Sequence, residues 1–343
     1  MLNQFHHLFW MGDLNYRLGY PTEADEGYPT TPRKSVFNEV VEKIKLKSFK
    51  DLLSNDELTK ERKAGQVFAD FKEGEINFAP TFKMVRGEED QYMEKRLPAW
   101  CDRILWRSLS GCKANLAQLY SAPSVKTSDH KPVAAKFHLN VSALPTDDEV
   151  DGSKPQYKLR LLSLSARGLK KGDVMGLSDP LWSLLAIIPK ERVTLCAIRR
   201  VGIPMRSDAV PEMDLPAIEL KTSSLERLER EHVYLKVRDS DLIVDNDTLG
   251  HGVMSLASAV AAYRSKLRHS TIPQHPVHFQ INLSHSGIAE GQLQGQMELQ
   301  KVSRRGSIGV RNVVLLRRLI PSLGVRSGSG SAAERTHILK QAT

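Results

Sequence analysis

Apolar and polar positions divide the chain into segments of different character. Phe9, Trp10, Met11 and Leu14 form a short apolar run interrupted by Gly12, Asp13 and Asn15, the pattern of a strand with polar residues at its end. Two apart on an extended backbone, Asp13 and Asn15 are expected to share one face, with Met11 and Leu14 turned into the core behind them. Pro21, Pro29 and Pro32 mark 19–34 as a loop. Ser35 then predicts a cap for a helix over 36–46, where Val36, Val40 and Ile44 recur at near-helical spacing, and further helices are expected over 49–55 and 58–71. An aromatic and aliphatic run over 98–106 carries Asp102 and Arg103 inside it, and Pro132 halts the chain before a strand over 133–139. Residues 141–156 are polar, acidic and punctuated by Pro and Gly, as linkers are. Alternation over 157–164 then opens a β-rich region in which 200–219 reads as an insertion, and from 301 onward Arg, Ser and Gly predict a disordered tail.

Length and composition narrow this picture. A chain of 343 residues can hold two ordinary cores, and 41% hydrophobic with 26% charged residues is the balance of a soluble globular protein. No apolar stretch approaches the roughly 20 residues of a membrane span, and the first residues lack the basic flank and cleavage site of a signal peptide. Cys101, Cys112 and Cys196 make no disulfide framework and suggest a reducing, cytoplasmic setting. The net charge of +9 is uneven, since residues 302–343 alone hold eight basic and one acidic side chain. The surplus therefore marks a basic tail on nearly neutral domains, so a nucleic-acid partner is not expected.

Three polar groups set in apolar runs carry the candidate chemistry. Asp13 can take a proton from water, while Asn15 beside it can hold that water or a phosphate oxygen without adding charge. If Asp102 accepts a hydrogen bond from one ring nitrogen of His130, the other faces a substrate and can stabilise charge on a phosphoryl oxygen. Asp13, Asn15, Asp102, Asp129 and His130 at strand ends thus suggest a metal-assisted phosphoesterase. Each piece alone reads more readily as a turn or a structural ion pair than as a site, and their conjunction is what points to a site.

Trp10-Met11-Gly12-Asp13-Leu14-Asn15-Tyr16-Arg17, Pro98-Ala99-Trp100-Cys101-Asp102-Arg103-Ile104-Leu105 and Ser128-Asp129-His130-Lys131-Pro132-Val133 resemble, in order, three signatures of the inositol polyphosphate 5-phosphatases. Phe78-Ala79-Pro80-Thr81-Phe82-Lys83 is similar to a fourth, with Phe82 where the family usually has Tyr. The resemblance implies the C-terminal part of a DNase I-like catalytic domain acting on a phosphoinositide. Asp13 would activate water, Asn15 position it, and His130 with Asp102 behind it stabilise the phosphoryl group. Lys83 and Arg103, together with Arg17, would bind substrate phosphate. Asp129 would link to a magnesium shell, whose glutamate the family carries upstream of the first signature.

A second set of carboxylates lies beyond residue 156. Asp173 and Asp179 stand six apart, and Asp239, Asp241 and Asp247 follow in one later stretch. Carboxylates crowded on two loops suit calcium, which takes six to eight oxygens in flexible geometry. The spacing resembles calcium-binding C2 domains, implying a rim that meets anionic lipid once metal reverses its field.

The expected fold class is α+β: a partial DNase I-like (endonuclease/exonuclease/phosphatase) α/β sandwich over 1–140, a linker over 141–156, an antiparallel β-sandwich C2 domain over 157–300 and a basic tail over 301–343. The order resembles the SH2-containing 5-phosphatases. The expected activity is magnesium-dependent hydrolysis of an inositol 5-phosphate, with calcium-dependent recruitment of a cytoplasmic protein to an anionic membrane. Two other readings stay open at this stage: a calcium- and lipid-binding module on an incomplete phosphatase, and a magnesium nuclease of the same broad fold.

Overall fold

The computed structural model describes residues 5–20, 32–141, 156–169, 183–188, 191–192, 217–220, 224–238, 248–268 and 275–302, with side chains described for all of these except 183–192. The described residues fall within one compact unit. In chain order its elements are β1 (His7–Asp13), α1 (Lys34–Lys45), α2 (Phe49–Leu53), α3 (Glu57–Lys63), β2 (Lys72–Glu73), β3 (Asp102–Ser108), β4 (Ala114–Ser121) and β5 (Val133–Leu139). The later part adds β6 (Tyr157–Arg167), β7 (Ser183–Ile188), β8 (Glu191–Arg192), β9 (Ile218–Leu220), α4 (Leu225–Arg230), β10 (His232–Arg238), β11 (Thr248–Ser255), α5 (Ala257–Arg268), β12 (Val277–His285) and β13 (Ile288–Lys301).

The first part is organised on β3. Its apolar core residues Ile104, Leu105 and Trp106 are buried, and it pairs antiparallel with β1 on one side and β2 on the other. The β1–β3 register runs from His7 opposite Ser108 to Asp13 opposite Asp102, so the two acidic residues face each other at one end of the sheet. A core of Leu18, Val40, Leu52, Ile76 and Trp100 forms beside it in the chain, with Val40 supplied by α1 and Leu52 by α2. β4 and β5 make a separate two-stranded sheet.

Several local expectations are corrected. Met11 is 63% exposed rather than in the core, and Leu14 is only half-buried. α1 begins one residue before Ser35, with Arg33 at the cap position making no side-chain cap bond. The helix expected over 58–71 stops at Lys63, because Gly65 takes φ +71 and the backbone N–H groups of Ala64 and Gly65 turn back to the carbonyls of Lys60 and Arg62. Asp56 caps this helix instead, accepting from the Thr59 N–H at 2.9 Å.

The strands after residue 156 join in the order β8-β7-β10-β11-β12-β13-β6-β9, every pairing antiparallel. β11 and β12 share a single paired position, His251 with Ser284, so four strands meet four strands at one corner. Buried side chains from both groups, such as Leu235 and Met254 on one and Leu159, Leu293 and Met297 on the other, belong to one hydrophobic core. The alternating burial of β11 is what a strand with one covered face requires.

This part also touches the first. Asn282 donates to Asp70 at 2.8 Å, the ring Nε2 of His232 bonds the Ser110 carbonyl at 2.7 Å, and Ala69 and Ala289 donate backbone N–H groups to Gly287 and Gly65. Among the described residues, no helix is long and apolar enough to cross a membrane.

Candidate functional site

The site grows from the end of β1. Gly12, at φ +137, takes a conformation that suits glycine, and Asp13 is the last residue of the strand. Asn15 then adopts φ +59, and its backbone N–H donates to the Asp13 carboxylate at 2.9 Å, a turn closed by the acidic side chain itself. The two residues are neighbours through this turn, not through the shared face of an extended strand. Leu14 N–H donates to the Cys101 carbonyl at 2.8 Å, which fastens the turn to the residue before β3.

The start of β3 supplies the second arm. Asp102 Oδ2 accepts from His130 Nδ1 at 3.0 Å and from the Thr81 hydroxyl at 2.7 Å. A carboxylate oxygen has no proton to give, so in this bond Nδ1–H donates to Asp102 and Nε2 is the ring nitrogen left for a substrate. His130 is held from its own chain by the N–H to Ser128 Oγ bond at 3.1 Å, and its side chain stays 28% exposed. The neighbouring Lys131 N–H donates to the Thr81 carbonyl, which fixes the segment carrying His130 against the segment carrying Thr81.

Asp129 faces Lys83, whose Nζ lies 2.9 Å from its Oδ2, with Arg86 at 3.7 Å on the other oxygen. The hydrogen bond from Lys83 holds this carboxyl below the usual carboxylate range. Arg17 donates to Asn15 Oδ1 and stacks on the Phe82 ring, with its Cζ 4.3 Å from the ring centroid.

Arg103 is corrected by the structure. Its guanidinium is 1% exposed and is bound by Asp56 at 2.8 Å and by both oxygens of Glu73 at 2.7 and 2.9 Å. Burial opposes its charge, but the two carboxylates outweigh that and hold its pKa above the ordinary value. Every arm of the fork faces the interior, so Arg103 braces β3 beside Asp102 rather than meeting a phosphate. Thr81 and Phe82 stand in the fourth motif, but motif reading gave Thr81 no role and treated Phe82 only as a departure from the family's Tyr; the signal was a hydroxyl and an aromatic ring immediately before a candidate phosphate-binding lysine.

The carboxylates here are committed to protein partners: Asp102 to His130 and Thr81, Asp129 to Lys83. Among the described residues no three His, Cys, Asp or Glu side chains converge as a metal site. These residues do not by themselves make the magnesium shell that the motifs imply. Asp173, Asp179, Asp239, Asp241 and Asp247, expected to bind calcium, lie outside the described residues.

Residues 1–136 match the Endonuclease/Exonuclease/phosphatase family 2. Phosphatidylinositol 3,4,5-trisphosphate 5-phosphatase 1 of Mus musculus is 29% identical over 309 residues, covering 87% of this chain and 23% of that protein. Phosphatidylinositol 3,4,5-trisphosphate 5-phosphatase 2 of Homo sapiens is 28% identical over 312 residues, covering 88% of this chain and 22% of that protein. The chain thus spans less than a quarter of the length of these relatives. Among solved structures, the inositol polyphosphate 5-phosphatase domain of spsynaptojanin, in complex with inositol (1,4)-bisphosphate and calcium ion, is 31% identical over 40% of this chain and 35% of that one, with a TM-score of 0.33.

Proposed function

We propose that residues 5–141 carry the histidine-bearing half of a phosphoinositide 5-phosphatase site. The observation that supports this most is the β1–β3 register, which sets Asp13 opposite Asp102, together with the bond from Asp102 to His130 Nδ1. Attack by water on a phosphorus atom needs a base for the water, donors for the phosphoryl oxygens and a group to meet charge as it builds. Asp13 is the base. Asn15, with its carbonyl oxygen engaged by Arg17, offers its NH2 as a donor, and His130, oriented through Asp102, offers Nε2. Lys83 meets a neighbouring phosphate, moving between Asp129 and the substrate. Both relatives are named for a 5-phosphatase acting on phosphatidylinositol 3,4,5-trisphosphate, so a phosphoinositide with that phosphate is the substrate class to test first.

We infer also that the four-plus-four antiparallel arrangement after residue 156 is a C2-type β-sandwich whose acidic loops take calcium and meet an anionic membrane. The alignment with the mouse relative runs over 309 residues, past the phosphatase part and through most of these strands. A second reading, a lipid-binding module on an incomplete phosphatase, is favoured by the lack of a carboxylate cluster for metal among the described residues.

Phosphate release from short-chain phosphatidylinositol 3,4,5-trisphosphate by the full chain in magnesium buffer separates the two. The first reading expects turnover that Asp13→Ala abolishes and that Asp102→Asn lowers by about 10²–10⁴-fold, since His130 loses its orienting acceptor. Turnover unchanged in Asp13→Ala removes the assignment. Calcium-dependent sedimentation with phosphatidylserine vesicles and no hydrolysis supports the second.

A further inference from the structure

Phe82 lies where the two arms of the site meet. Its ring is 7% exposed, with Arg17 Cζ at 4.3 Å and Lys83 Nζ at 5.2 Å from the centroid and the His130 ring at 4.6 Å, tilted 42°. The backbone beneath it is fixed, since Phe82 and Ala99 exchange N–H to carbonyl bonds of 3.2 and 2.8 Å, and Met84 N–H donates to the Asp129 carbonyl. The ring is therefore a wall in a set position, touching both the Asn15 arm through Arg17 and the Asp102 arm through His130.

Arg17 has an unusual balance of partners. Nη2 donates to Asn15 Oδ1, while Nη1 is buried with no hydrogen-bond partner among the described residues. A buried guanidinium nitrogen without an acceptor is destabilising. The face of an aromatic ring is the electrostatic partner that offsets it, and a flat guanidinium stacks there better than an ammonium does.

We propose that Arg17, stacked on Phe82, is a positioning residue that sets the Asn15 carboxamide. A carboxamide has one acceptor end and one donor end; with Oδ1 turned to Arg17, the NH2 is the end left facing the other side. It therefore presents an N–H to an oxygen, as a phosphoryl group needs, and is kept from turning its carbonyl toward that negative charge. Arg17 acts through Asn15 and does not touch the substrate itself. Phe82 sets the spacing between Asn15 and His130 by holding the neighbour of one and the ring of the other. The kinetic part of this proposal rests on the phosphoesterase reading; the geometric part does not.

The test has a spectroscopic and a kinetic arm, both on the full chain. In ¹⁵N-labelled protein the Asn15 carboxamide and Arg17 Nε–H signals are expected to stay in place in Phe82→Tyr, which keeps the ring. The Asn15 carboxamide signal is expected to move in Arg17→Met and in Phe82→Leu. Kinetically, Arg17→Met and Asn15→Ala each lower kcat by about tenfold with KM unchanged, and the double variant is no worse than Asn15→Ala alone. An Asn15 signal that ignores Arg17→Met overturns the proposal, as do additive losses accompanied by a raised KM, which mean direct contact between Arg17 and substrate. Should Phe82→Leu not fold, Arg17→Met and Phe82→Tyr decide the matter alone. Should the wild-type chain release no phosphate, the phosphatase reading fails, and the spectroscopic arm still decides the role of Arg17.

Discussion

Replacing Arg103 with methionine tests whether this residue is a brace or a substrate contact. The side chain is buried and the two carboxylates it binds are buried with it, Asp56 at 0% and Glu73 at 9% side-chain exposure. Methionine fills similar volume but leaves both acids without their shared cation. Breaking a buried pair from one side costs about 3–5 kcal/mol, because the surviving charge stays desolvated. Here the lower end applies, since Asp56 keeps the N–H and hydroxyl of Thr59 and Glu73 keeps Arg62 at 2.8 Å. A loss of about 3 kcal/mol, with a urea m-value near 3 kcal/mol/M, moves the unfolding midpoint down by about 1 M. Trp100 and Trp106 flank Arg103 in the chain and report this unfolding by fluorescence. Adding Asp56→Asn and Glu73→Gln to Arg103→Met is expected to recover part of the loss, because neither uncompensated charge remains. An unchanged midpoint together with weakened inositol phosphate binding would refute the brace and return Arg103 to the substrate.

Two further outcomes follow from titrating groups. Asp129 has its folded pKa depressed below the ordinary 3.8 by Lys83, so its contribution to stability is present above that value and is lost as pH falls through the lower, folded one. The melting temperature measured from pH 5 to pH 2.5 is expected to fall less steeply in Asp129→Asn than in the wild type below about pH 4, and identical slopes would contradict the pair. Cys101 is buried, and burial pushes its thiol up to about 12. At pH 8 iodoacetamide is therefore expected to spare Cys101 until denaturant is added, as read by peptide mass spectrometry, and labelling of the folded chain at a free thiol's rate would contradict its burial.

What the sequence made legible, and what it hid, divides along a physical line. A charged or amide group inside an apolar run is visible as an anomaly, which is why Asp13, Asn15 and Asp102 stand out in the sequence, while His130, in a polar stretch, stands out only by lying next to Asp129 just before a strand. The strand boundaries at Asp13 and Val133 follow from the same contrast. The direction in which each anomaly points is not local. Arg17 and Arg103 look alike in sequence, each an arginine within a motif that carries an acid, yet one stacks beside Asn15 and the other is sealed inside. The difference is made by Asp56 and Glu73, 47 and 30 residues away from Arg103, which nothing in their own neighbourhoods ties to it. Asn15 shows the converse: the contact with Asp13 was legible, while the left-handed turn that makes it was not, because alternation assumes a strand that has already ended.

The same contrast explains why the two arms need a third element. Backbone register carries Asp13 to Asp102, but Asn15 lies beyond the last paired position of β1 and His130 lies in the chain before β5, so no strand pairing sets the distance between them. Hydrogen bonds fix each inside its own arm. Between the arms, Phe82 is the surface shared by both, through the Arg17 stack on one side and the imidazole on the other. A ring there is indifferent to small shifts in hydrogen-bond direction, yet it resists being approached closer than contact. It can therefore hold a spacing while leaving the donors of Asn15 and His130 free for a phosphoryl group. A short polar residue at position 82, which accepts from Arg17 but lacks the ring, would draw the guanidinium away from Asn15, releasing the carboxamide to turn its oxygen toward the substrate.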